Sequence, residues 1–236
     1  MQPTKREARL AGLLYLVVAL AGPFVLLYVP GKLYVPGDAA ATAARILAHE
    51  PLFRAQIVVG LVSQVCFVAA ILALYRMLRG VSGQLATLMA AAILIEVPLG
   101  IAGLATQSAT LSILRGGEFL AAFETPQREA LAMLLLHFDR QGVYVSEFFW
   151  GLWLLPLGML IWRSRFLPRF LGVWLFANGL AYVTVSATGL LVPHSAKAAM
   201  TYATPLLFGE LALVLWLLIA GVRERPSATP SNSAPT

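Results

Sequence analysis

Six stretches of this chain, residues 10–29, 55–75, 84–106, 142–162, 168–192 and 201–222, are each almost wholly apolar. A helix needs about 20 apolar residues to cross a hydrocarbon core about 30 Å thick. Runs of that length have no polar face to offer water. In lipid, a lone strand would leave backbone N–H and C=O groups unpaired, whereas a helix satisfies them internally. The expected fold class is therefore all-α, a polytopic transmembrane bundle of six helices. Composition agrees. Of 236 residues, 59% are hydrophobic and 12% charged, against about 25% charged in a soluble domain. That leaves too little polar surface to coat a water-soluble globule, and lipid bilayer is the expected partner.

The bases set an expected orientation. Lys5, Arg6, Arg9, Arg76, Arg79, Arg163, Arg165, Arg169, Arg223 and Arg225 all flank one end of the runs, in short segments. Lys32, Arg45, Arg54, Arg115, Arg128, Arg140 and Lys197 lie in longer connections mixed with acids. The positive-inside rule then puts both termini in the cytoplasm, and the expected location is the bacterial inner membrane. The net charge of +6 forms no patch with interleaved aromatics, which argues against nucleic-acid binding. The domain reading is a cytoplasmic N-terminus over 1–9, the six-helix domain over 10–225 and a disordered cytoplasmic tail over 226–236. The tail's "PSATPSNSAPT" has nothing to bury. The apolar stretch near the N-terminus is too long for a signal sequence and lacks a small-x-small cleavage site, so it reads as a retained first helix.

Two connections are expected to hold short external interfacial helices. In "GDAAATAARILAHEP", Asp38 is placed to cap a helix that Pro51 ends or bends. In "TPQREALAMLLLHFDRQG", Thr125 and Pro126 supply a cap and first-turn proline, and Gly142 predicts a break before the fourth span.

Three acids fall inside the spans: Glu96, Glu147 and Glu210. Burying an ion in hydrocarbon costs about 2.5–3.5 kcal/mol on insertion scales, so such residues usually face the interior and find partners. No lysine or arginine is expected at the depth of Glu96 and Glu210, and the protonated form is the cheaper one to bury. These acids either tie helices together through Asn178, Tyr182 or Gln64, or line a polar chamber for a cation, proton or polar ligand. Pro98 frees the Leu94 carbonyl at the depth of Glu96 and tips the reading toward function there. Glu147 reads as shallower. It sits beside Phe148, Phe149, Trp150 and Trp153, which suggest an aromatic belt or a ligand pocket with Glu147 at its mouth. The candidate binding residues are thus Glu96, Glu210, Glu147 and Asn178.

His49, His137 and His194 occupy one external connection each, without the spacing of a zinc motif. With Glu50 or Asp139 as base they would suit an interfacial hydrolase, but the expectation is no metal and no cofactor. The single cysteine, Cys66, excludes an intrachain disulfide. Gly100, Gly103, Gly172, Gly179 and Gly189 are expected to permit close helix contact.

The stretches "GKLYVPGDAAATAARILAHEPLFR" (31–54), "FFWGLWLLPLGMLIWRSRFLPRFLGVWL" (148–175) and "GELALVLWLLIAGV" (209–222) together resemble a bacterial integral membrane family known as domain of unknown function 4386. The resemblance implies a multi-helix inner-membrane protein and brings no activity, cofactor or catalytic residue with it. Three functions remain as expectations. The first is a small carrier or binding protein using intramembrane carboxyls. The second is an interfacial or intramembrane hydrolase. The third is a structural or regulatory subunit, working as a homo-oligomer or with a membrane partner protein.

Overall fold

The structure is a computed structural model that describes residues 3–222; the expected tail lies outside them. It is helical throughout, with no strand among the described residues. Six helical stretches are long and apolar enough to cross a membrane, and they cover the six runs read from the sequence.

The first span joins α1 (Lys5–Pro23), a π-helical turn at Phe24–Tyr28 and α2 (Val29–Leu33) into one rod. Thr4 and Glu7 form a reciprocal capping box at its start, satisfying two orphan N–H donors. The π turn follows Pro23, which lacks the donor for a regular bond. A short α3 (Ala39–Ala48) follows, capped by Asp38, whose Oδ1 accepts from the Ala41 N–H at 2.8 Å. Pro51 sits in the first turn of α4 (Glu50–Leu78). Ser82 caps α5 (Gly83–Arg115), and α7 (Arg169–Leu191) and α8 (Ala196–Ile219) complete the set.

One expected element is corrected. Thr125 does not open a separate external helix, and Gly142 does not break the chain. Residues Thr125–Arg163 form a single helix, α6, of 39 residues, about 58 Å long. Its N-cap is Glu124, in a capping box with Gln127. A lone glycine costs only about 1 kcal/mol in a helix, and packing of α6 against α3, α5 and α7 carries the helix through it. Of the two external helices expected, α3 alone is short and separate.

Each long helix packs on its neighbours in the chain, and α8 returns to α1 to close a ring. The tightest pair is α6 with α7, where glycines face glycines. A Cβ on Gly158 would lie 2.6 Å from the Gly172 carbonyl oxygen, and one on Gly151 would lie 2.5 Å from that of Gly179. The ring's outer surface is apolar: Leu20, Leu27, Val58, Val65, Leu88, Ile95, Phe170 and Ile219 are all exposed, as a lipid-facing surface requires.

Inside, an apolar core fills the end that carries the termini, including Leu74, Leu78, Leu157, Leu160, Leu175 and Leu217. A second apolar cluster lies at the opposite, loop end, where α3 covers α5 and α6 with Ile46 against Leu111 and Leu136. Polar side chains concentrate between these two clusters.

Candidate functional site

Every member of the ring sends a polar group into one interior layer: Tyr15 from α1, Gln64 from α4, Glu96 from α5, Glu147 from α6, Asn178 and Tyr182 from α7, and Glu210 from α8. Counted from the terminal end at about 1.5 Å per residue, these positions lie about 14–24 Å along their helices. They therefore share the depth of a hydrocarbon core about 30 Å thick.

Glu210 is well partnered. Its carboxylate accepts from the Tyr15 hydroxyl, and from the Asn178 side-chain amide at 3.2 Å. The Tyr182 hydroxyl also faces it. Beneath it Tyr15 stacks on Phe67 at 6.2 Å and meets the edge of Trp153 at 5.8 Å. Tyr15 is 2% exposed, so its one polar atom has its bond inside the protein.

Glu96 is the opposite case. It is 1% exposed and faced by Trp150, Gln64 and Ser146, yet neither carboxyl oxygen makes a hydrogen bond. Glu147 is 3% exposed, and its Oε2 also lacks a partner. Buried and unpartnered too are Gln64 Oε1, Asn178 Oδ1 and Ser186 Oγ. An orphaned buried polar atom costs about 1–3 kcal/mol, and its presence calls for an explanation such as a bound ion, water or ligand. Among the described residues, no lysine or arginine pairs with these acids; the ion pairs join Glu50 to Arg54 and Arg115 at 2.7 Å, on the surface.

The two deep acids do not touch. Glu96 faces Trp150, whose ring meets Tyr182 edge-on at 5.9 Å, and Tyr182 faces Glu210. Tyr182 also lies within electrostatic reach of Glu147. An aromatic pair thus links the three carboxyls in one continuous cluster.

The structure revises several sequence-based placements. Glu147 lies about 24 Å from the terminal end, nearer the loop side than Glu96 or Glu210. On the long α6, however, its side chain is turned inward and buried rather than set at a pocket mouth. Trp153 is fully buried against Tyr15 and Phe67, and Trp150 turns to the acids; of the expected belt, Phe148 is the clearly exposed member. Pro98 and Leu94 lie on the exposed face of α5, across the helix from buried Glu96, so the carbonyl freed by Pro98 is on the wrong side to serve that acid. His49 leans on the Arg45 carbonyl at 3.2 Å and His137 on Gln141 at 3.4 Å. Among the described residues, no three His, Cys, Asp or Glu side chains gather to hold a metal.

Gly172 and Gly179 do bring helices together, as their type suggested. Gly100 and Gly103 instead make room for side chains, the Gln64 amide and the Asp139 carboxylate. The sequence reading missed Tyr15. In the sequence Tyr15 lies only five residues past the start of its apolar run, where a tyrosine passes for an ordinary interfacial one.

No curated protein matches the chain, and no solved structure does. A family model described as domain of unknown function (DUF4386) matches residues 10–221. That range takes in all six spans and the whole acid cluster, including the segments 31–54 and 148–175 that carried the resemblance. The chain therefore belongs to the DUF4386 family of proteins with a domain of unknown function.

Proposed function

We propose that this multi-pass protein sits in the bacterial cytoplasmic membrane with both termini inside. There it acts as a small carrier or binding protein that takes a proton or small cation on Glu96 and Glu147, while Glu210 ties helices together through Tyr15 and Asn178. One observation carries this reading: Glu96 is almost completely enclosed and, although Trp150, Gln64 and Ser146 face it, neither of its oxygens makes a hydrogen bond. A carboxyl kept only to join helices would be hydrogen-bonded, as Glu210 is. A carboxyl kept to receive a cationic species needs free oxygens, an apolar surround that makes binding selective, and no resident base. Tyr182 and Trp150 would then separate the receiving acid from the structurally held one.

Purified protein in liposomes carrying an internal pH-sensitive dye tests this. An imposed pH or membrane potential gradient should drive proton movement above the empty-liposome rate, and Glu96→Gln should cut it at least about tenfold. Proton movement equal in Glu96→Gln and the parent protein would refute the assignment. The regulatory-subunit alternative is favoured by a separate observation, the ties from Glu210 to Tyr15 and Asn178. It predicts no flux at all, with a partner protein co-purifying from native membranes.

A further inference from the structure

A second polar cluster stands apart from the acid layer, under α3 at the loop end. Gln107 on α5 donates from Nε2 to Asp139 Oδ2 on α6 at 3.0 Å. Tyr34, in the link after α2, brings its hydroxyl close to the Gln56 amide on α4 and within electrostatic reach of Asp139. Four chain segments therefore supply oxygen-bearing side chains to one place. Three of those oxygens, Gln107 Oε1, Gln56 Oε1 and Tyr34 Oη, are buried with no partner. Gln107 is 5% exposed and Gln56 1%, so water outside the fold does not satisfy them. Gly103 makes the seat: a Cβ there would lie 2.7 Å from Asp139 Oδ1.

We infer that Asp139, Gln107, Gln56 and Tyr34 form a binding site for a monovalent hard cation of the sodium kind. The donors are all oxygens, which suit hard cations and not zinc or copper. One carboxylate balances one positive charge, whereas a divalent ion in so enclosed a place would be left under-neutralised. Arg140 is near Tyr34 but exposed, so water screens its charge. Access is short. At about 1.5 Å per residue, Gln56, Gln107 and Asp139 lie about 33–36 Å from the terminal end. That is past a core about 30 Å thick and at the loop-side water boundary.

The inference does not rest on the acid layer, since sodium binding and proton movement can each fail alone. The test is binding of radioactive sodium to the full chain in nanodiscs, with choline as the balancing cation. Saturable binding of about one ion per chain is expected, displaced by unlabelled sodium and not by choline. Asp139→Asn, which keeps the volume and the Gln107 contact, should weaken it at least about tenfold. Gln56→Leu should weaken it as well. Glu118→Gln, an exposed acid at the same end, should leave it unchanged. Sodium should also raise the thermal unfolding midpoint of the parent protein and Glu118→Gln, and not that of Asp139→Asn. The inference is overturned by a lack of saturable binding, by binding that survives Asp139→Asn, or by binding lost in Glu118→Gln.

Discussion

Replacing Gly151 by alanine adds a single methyl group at the point where α6 and α7 touch. That methyl would lie 2.5 Å from the Gly179 carbonyl oxygen, 2.7 Å from Val183 Cγ2 and 2.9 Å from the Val183 nitrogen. Ordinary contact between carbons is about 3.5–4.0 Å, so the helices must part by about 1 Å. Two of the three obstacles are backbone and cannot rotate away. Overpacking of this kind costs about 1–3 kcal/mol, partly offset by about 0.5–1 kcal/mol from replacing a helical glycine. The net expectation is a loss of about 1–2 kcal/mol, read as a lower midpoint in reversible detergent unfolding. Gly22→Ala is the control, because a Cβ there meets nothing within 4 Å, and it should be neutral or stabilising. The same separation would draw Glu147 and Trp150 on α6 away from Asn178 and Tyr182 on α7, so proton movement should fall with stability. Gly151→Ala unfolding no earlier than the parent protein would refute the claim that these backbones are in contact.

Two further substitutions probe how the acids and caps are held. Glu96→Leu removes orphaned oxygens and should raise stability by about 1 kcal/mol or more, while Glu210→Leu strands Tyr15 and Asn178 and should lower it by about 1–2 kcal/mol; detergent unfolding of both would show opposite signs, and equal losses would contradict the hydrogen-bond assignment. Asp38→Ala removes the cap of α3 at a cost of about 1 kcal/mol, so amide exchange in α3 should quicken about fivefold while α5 stays protected.

Much of the architecture was legible because membrane physics leaves few choices. A run such as 55–75 without a charge has one stable form in lipid, and its length states that it spans. Asp38 as a cap was legible for a local reason, a side chain answering an N–H three residues on. Gly142 misled, because a helix break depends on what the flanking turns pack against, and α6 is held along its length by α3, α5 and α7. The second cluster escaped notice because glutamines and a tyrosine carry no formal charge. Their significance lies in being enclosed without partners, which is a property of the fold.

By itself the sequence determined six membrane-length helices, three carboxyls within them and no base to match. Those follow from periodicity, length and charge, which act along the chain. Only the tertiary structure decided which acid is satisfied. Glu96 and Glu210 are similar in sequence, each a lone acid in an apolar run. Closing the ring set Tyr15, 195 residues away, against Glu210 and left Glu96 with no hydrogen bond. Partnership between distant side chains depends on helix rotation and on contacts such as those of Gly151 with Gly179, and these are settled by packing all six helices together.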